Sequence, residues 1–456
     1  MCMVRVRPCL SVFVRGAGAP SQEFNASMNN AYETLREFIF GLQIVDTHEH
    51  MHAREESRDK TADVLSEYLT HYFSCDLVSA GLTPDELAVA RDVKRPLMER
   101  WKLVEPYWDA ARLTGYGRAL DIAARDIYGF TRIDATRIQP LNDAFRAALA
   151  SGGHYQRVLK DLGKIRVSIH DNDLACDRRF FRSVVRVEDF IMLNTREQVL
   201  SIQRRTGVRV HSLDDLKAAC TRFLEDAFAK GAVAIKTALA YLRPLHYPKV
   251  AAADAERELA DILNNGLSFP ATQDVGLNQT RSLQAHMMHH VLAFADARGL
   301  AVQFHTGLQE GNGNVIANAN PALLSNLFHE YENVKFDIFH IGYPYEHVLS
   351  ALAKNFRNVF IDFAWAHIIS PQAARDALIE YLDAVPANKI SAFGGDFAFP
   401  DGAYGHQFIA RENVARALAA KVELGICGID DAKHLAVMLL HDNPIAILNL
   451  KEQDLP

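Results

Sequence analysis

The segment Val45-Asp46-Thr47-His48-Glu49-His50 carries two histidines one residue apart, after a short apolar run from Leu42 to Val45. On a strand, alternate side chains share a face, which sets His48 and His50 ~6–7 Å apart along the chain and aims both imidazoles the same way. Two imidazoles so placed grip one divalent ion. Two surface histidines at a strand–loop junction would read the same way, so the other chemistry-bearing residues are weighed with them. Lysine ends the run Ala232-Val233-Ala234-Ile235-Lys236, and histidine ends both Val302-Gln303-Phe304-His305 and Ile338-Phe339-His340. Aspartate follows Phe393-Gly394-Gly395 at Asp396. Each of these residues alone is more often structural. Together, at matching strand ends, they make a candidate site.

Imidazole and carboxylate ligands bind a divalent ion while leaving a position open for water. Such an ion lowers the pKa of its water and polarises a substrate oxygen. Asp396 is then placed to ligate the metal, take the proton from the attacking water and pass it to the leaving group. His340 would hold or polarise the substrate oxygen. Lys236 has two readings: it bridges a second metal after carboxylation, or it stays a cation and binds a substrate carboxylate. His48, His50 and Asp396 are candidate metal ligands, and His305 converges on the same rim. Zinc is the expected ion, with manganese or iron as alternatives and one or two ions per chain. Arg243 is a candidate for a bidentate substrate contact, against a scaffold ion pair, and His367, just past the seventh strand, is a second candidate. His286, His289 and His290 fall at helical spacing, but on a helix expected outside the sheet.

These residues must be positioned by a particular architecture. Apolar runs at Ile165–Ile169, Ser183–Val187, Val233–Thr237, Leu300–His305, Val334–His340, Val359–Phe363 and Ile390–Gly394 bring the strand count to eight. Strands alternating with helical stretches argue for parallel pairing, and eight such units for a closed (β/α)8 barrel, an α/β fold whose active site lies at the C-terminal strand ends. Residues 54–163 show no strand alternation and are expected to be a helical insertion over the barrel mouth. Within it, Leu65, Tyr68, Leu69 and Tyr72 share a helix face, Thr83-Pro84-Asp85-Glu86 starts a helix, and others run Arg95–Val104 and Gly117–Ile127. Trp101, Tyr107 and Trp108 read as packing. No Gly-x-Gly-x-x-Gly follows a strand, which weakens a dinucleotide-binding alternative.

A formal charge of −7 and a pI near 6.3 leave no basic surface to attract nucleic acid or an anionic membrane. No window nears the roughly 18 uninterrupted apolar residues of a membrane span. The six cysteines are scattered without a Cys-x-x-Cys pair, which suits a reducing compartment and points to the cytoplasm. Residues 1–23 are expected to be a disordered extension: the run Cys9–Val14 is too short for a secretory core and Pro8 disfavours a helix. Residues 24–456 then form one barrel domain.

The strand-end series His-x-His, Lys, His, His, Asp resembles that of the amidohydrolase superfamily of metal-dependent barrel enzymes. The chain is most similar to the amidohydrolase domain of FluG and of nodulin/glutamine-synthetase-like fusions. The similarity lies in Phe304-His305-Thr306-Gly307-Leu308 with Asn320-Pro321, in His340-Ile341-Gly342-Tyr343-Pro344-Tyr345, in Asn358-Val359-Phe360-Ile361-Asp362, and in Asp396-Phe397-Ala398-Phe399-Pro400. It spans about residues 30–450 and implies His48, His50, His305 and Asp396 near a metal. Tyr241-Leu242-Arg243-Pro244 departs from the fusion proteins, where arginine directly follows the tyrosine. The leading expectation is a hydrolase attacking a C–N or ester bond of a small polar substrate, in a homo-oligomer. A uronate-isomerase-like sugar-acid isomerase and a non-oxidative decarboxylase are alternatives, and a non-catalytic scaffold that kept the fold is a third.

Overall fold

The computed structural model describes residues 22–265 and 280–456. The expected N-terminal extension lies outside the described residues up to Gln22, where a helix begins and runs to Gly41. Eight strands follow: β1 (Ile44–Glu49), β2 (Ile165–His170), β3 (Phe181–Arg186), β4 (Ala232–Thr237), β5 (Ala301–Phe304), β6 (Lys335–Ile338), β7 (Val359–Ala364) and β8 (Ile390–Gly394). They pair in chain order and every pair is parallel. β8 returns to β1 at the C-terminal rim, where Asp396 N donates to His48 O (2.7 Å) and His50 N to Phe397 O (3.0 Å). The ring of strands therefore closes through the candidate ligands' own backbone. This is the (β/α)8 barrel the alternation implies.

The barrel interior is layered. Val45, Val167, Ile169, Val184, Ala234 and Ala301 fill its floor, and Leu448 and Leu450 of the C-terminal segment pack beneath them. Above lies a polar layer: Lys236 is in register with Gln303 and Gln303 with Asp337, so their side chains leave the same face of the sheet. The candidate ligands stand above that, at the strand ends. Apolar floor and polar rim follow from alternation within each strand: Ala234 precedes Lys236 and Ala301 precedes Gln303 by two residues.

Two strand ends differ from the expectation in an informative way. β1 continues through Glu49, so His48 belongs to the strand rather than to the loop after it. β6 stops at Ile338, because His340 (φ 63°) and Ile341 (φ 51°) are left-handed and cannot continue a ladder.

Residues between β1 and β2 are helical throughout their regular elements. The Thr83–Glu86 capping box starts a helix that ends at Arg91. Further helices run Leu97–Ala111 and Gly115–Tyr128, longer than periodicity suggests. The expected single face of Leu65, Tyr68, Leu69 and Tyr72 is broken: one helix spans Val64–Tyr68 and the next begins at Phe73. All four side chains are buried nonetheless. The break turns His71 and Tyr72 toward the barrel mouth. Trp101 and Trp108 pack together inside this region at 5.1 Å between ring centroids. No helix among the described residues is long and apolar enough to cross a membrane.

Candidate active site

His48 and His50 leave β1 with their Nε2 atoms 3.3 Å apart. Asp396 Oδ1 lies 3.0 Å from His50 Nε2 and 3.9 Å from His48 Nε2. Metal–ligand bonds of about 2.0–2.2 Å span just such separations, and one ligand atom from each residue falls within 4.8 Å of the others. The donor set fits a divalent ion. Asp396 is left-handed (φ 54°), a conformation an aspartate holds only where its surroundings dictate it. The dictating contacts come from β1. Asp46 Oδ1 accepts from Gly395 N (2.8 Å), and Glu49 Oε2 from Phe397 N (2.7 Å). A Cβ on Gly395 would stand 1.7 Å from Glu49 Oε1. The two acids that alternate with the histidines thus set the height of Asp396, a role the sequence reading missed.

Electrostatics hold these groups in metal-ready form. Burial, with Lys236 adding to it, drives His48 well below the ordinary imidazole range, so it is neutral. Burial opposes charge on Asp396, yet the His50 hydrogen bond and both histidines hold its carboxyl well below the usual range. His50 is pulled the other way: burial lowers its pKa, but the bond to Asp396 and the charges of Asp396 and Asp171 raise it overall. Its Nδ1 faces Asp171 Oδ2 at 3.2 Å, and Asp171 is gripped by Arg186, Nε to Oδ1 at 2.9 Å and Nη2 to Oδ2 at 2.5 Å. A carboxylate behind a metal-binding imidazole fixes its orientation and raises its basicity. Asp171 and Arg186 end β2 and β3, and the strand-end rule that found the histidines would have found them too.

A second histidine pair borders this triad, His340 Nδ1 lying 3.8 Å from Asp396 Oδ2. His305 Nε2 donates to Leu308 O (2.9 Å) and His340 Nδ1 to Ala364 O (2.7 Å). Each neutral ring then has one bare nitrogen, and these two, His305 Nδ1 and His340 Nε2, face each other at 2.9 Å. Two lone pairs that close require a cation or proton between or beside them. The four expected ligands are therefore split: three share one centre, and His305 belongs with His340. Fully buried behind His305, His340 does not reach the cavity as a holder of substrate oxygen. Lys236 is 1% exposed, its Nζ 3.4 Å from the Phe339 ring centre, and burial lowers its pKa to about 8.

The cavity over the triad encloses about 370 Å³. His71 and Tyr72 of the insertion close one side and Tyr241, Glu310, Lys236 and Arg186 the other. His71 is held neutral, its pKa near 3, by burial and the neighbouring His50. The loop after β5 is tied down by Tyr241 OH, which accepts from Glu310 N (2.8 Å), and by Asn312 Nδ2, which donates to Cys75 O (3.1 Å).

Two expected substrate contacts are not brought here. Arg243 turns into the wall, Nη1 donating to Gln284 Oε1 (2.6 Å) and Nη2 to His246 O (2.6 Å). His367 sits outside the barrel, its Nε2 donating to Ala392 O (2.9 Å) while Asn413 Nδ2 donates to its Nδ1 (3.1 Å). Both are scaffold contacts, because backbone carbonyls and neighbouring amides already take their polar atoms. His289 and His290 likewise bond Tyr331 and Thr221 on the helical shell.

A barrel with histidines and an aspartate converging at its C-terminal rim defines a class of metal-dependent enzymes. Residues 211–450, more than half of the chain, match the family model described as Amidohydrolase, and the chain belongs to that family. It is 27% identical over 239 residues to protein fluG of Emericella nidulans, half of this chain but 27% of that protein's length. The uronate isomerase of Thermotoga maritima shares the fold at a TM-score of 0.75 and 16% identity, over 92% of this chain and 97% of that one. A Lactobacillus casei protein provisionally assigned as a metal-dependent hydrolase does so at 0.65 and 18%, over 92% and 98%.

Proposed function

We propose that this chain is a hydrolase that uses a divalent ion, zinc before manganese or iron, to direct water at a C–N or ester bond of a small substrate carrying an anionic group. The observation that carries the reading is the triad His48, His50 and Asp396 opening onto a cavity of about 370 Å³ that holds two cations, Arg186 and Lys236. When bound, the ion acidifies its water and polarises the scissile carbonyl. Asp396, kept ionised, accepts the proton of that water at its carboxylate and returns it to the leaving group. Lys236 meets the substrate's anionic group, while Arg186 stays paired with Asp171 and Glu188 and adds field rather than a free hand. Tyr72, stacked on Trp365 at 4.4 Å, and His71 shield the reacting bond from bulk water.

Sugar-acid isomerisation is the second reading. It is favoured by His71, a neutral imidazole at the cavity wall with a buried, unpartnered Nδ1 available to shuttle a proton. The two readings separate in ¹⁸O-labelled water, with metal-loaded protein and a panel of small amides, lactones and uronates. Hydrolysis places one ¹⁸O in a new carboxyl, giving two products from an amide and one ring-opened hydroxy acid from a lactone. A substrate that instead rearranges with its formula unchanged rejects hydrolysis. No turnover of the panel by protein carrying its full metal complement rejects both.

A further inference from the structure

Beneath the triad, the polar layer of the barrel contains more oxygen than it can satisfy. Asp337, Asp362, Gln303 and Ser391 are each at most 1% exposed. Gln303 Nε2 donates to Asp337 Oδ2 (3.2 Å) and Thr47 O (3.3 Å), spanning from β5 to β6 and across to β1. Thr47 Oγ1 donates to Asp362 Oδ1 (2.9 Å), which also receives Ala364 N (2.6 Å). These bonds use the donors of Gln303 and Thr47. Gln303 Oε1, Asp337 Oδ1, Asp362 Oδ2 and Ser391 Oγ are left buried without a partner. Gln303 is in register with Asp337, and Asp362 with Ser391, so each pair leaves the sheet on one face.

Three of these four groups are pure acceptors. A buried acceptor without a donor is destabilising, and a buried unpaired charge more so. Among the described residues the cation acting on both carboxyls is Lys236, whose charge lowers the pKa of Asp337 and Asp362 alike. Two carboxylates and one ammonium leave a single negative charge over. A divalent ion would overshoot by one charge; a monovalent ion balances it.

We propose that this layer is a second, independent metal site that binds one alkali cation, sodium or potassium, through Asp337, Asp362 and the Gln303 amide oxygen, with Ser391 beside them. The cation enters and the one proton that otherwise neutralises a carboxyl leaves, so the charge of the layer is unchanged. Through Thr47, which adjoins His48, the ion braces the strand that carries the triad. The site requires no particular reaction above it.

The test uses the full chain loaded with its divalent ion. Melting is followed in lithium, sodium, potassium, rubidium and tetramethylammonium chlorides at one ionic strength, and crystals are soaked in rubidium or thallium(I). One or two alkali ions raise Tm saturably, by roughly 2 °C over tetramethylammonium at a hundredfold excess over Kd. An anomalous peak lies between Asp337 and Asp362, and Asp362→Asn and Asp337→Asn remove both effects. Should the variants fail to fold, the unmodified protein decides alone. Absence of the anomalous peak, with water alone at these oxygens, overturns the assignment whatever the melting series does. A Tm that is the same in all five salts overturns it as well.

Discussion

The two histidine pairs at the barrel rim are alike in residue type and unlike in place. His48 and His50 meet a carboxylate, and His50 remains a third exposed to the cavity. His305 and His340 meet each other, anchored by backbone carbonyls, and only His305 touches the cavity wall. Residue type is the same; what differs is which neighbour takes the outer nitrogen. Where that neighbour is Asp171, a carboxylate, the imidazole becomes more basic and better suited to a metal. Where it is a carbonyl, the ring is oriented without being charged.

Breaking the first pair has the largest effect. Asp396→Ala, or His50→Ala, reduces bound divalent ion to less than about a tenth per chain by elemental analysis, since two remaining ligands do not form a closed site. Asp171→Asn removes the charge behind His50 while keeping its shape. Zinc affinity then falls about 10–100-fold in a chelator competition. His340→Ala sharpens the contrast: the triad's ion is retained, and any ion held between the two bare nitrogens is lost, so the count falls by at most one. Loss of all metal in that variant would erase the distinction between the pairs. Arg243→Ala leaves metal content untouched and lowers stability by about 1–3 kcal/mol in urea unfolding, as one buried and two part-buried hydrogen bonds are withdrawn. His286→Ala, on the helical shell, changes stability by no more than about 0.5 kcal/mol.

The insertion makes a second contrast with the barrel. Barrel strands were legible because each alternates around an apolar register, and β8 runs from Ile390 to Gly394 as its pattern implies. Within the insertion, Leu65 to Tyr72 look like one amphipathic helix, because a period of 3.6 reports burial and not continuity. The helix breaks after Tyr68, and the same four residues are buried from one short helix and the turn that follows it. That break brings His71 and Tyr72 to the cavity, which nothing in their own neighbourhood announces. Arg243 and His367 turn away from the cavity for a related reason. Each lies close in sequence to a strand end, yet the direction of its side chain is set by partners 41 and 46 residues away.

By itself the sequence determined the eight parallel units, the strand ends on which the chemistry sits, and a candidate ligand set of His48, His50, His305 and Asp396, three of which the fold brings within reach of one ion. These follow from local alternation and from residue type, both written along the chain. Only the tertiary structure decided which histidines share a centre, that Asp171 and Arg186 stand behind His50, and that Asp337, Asp362 and Gln303 form one buried layer. Those relations depend on closing β8 onto β1 and on how far each strand is staggered against the next. Such long-range geometry brings together residues hundreds of positions apart, and no local pattern records it.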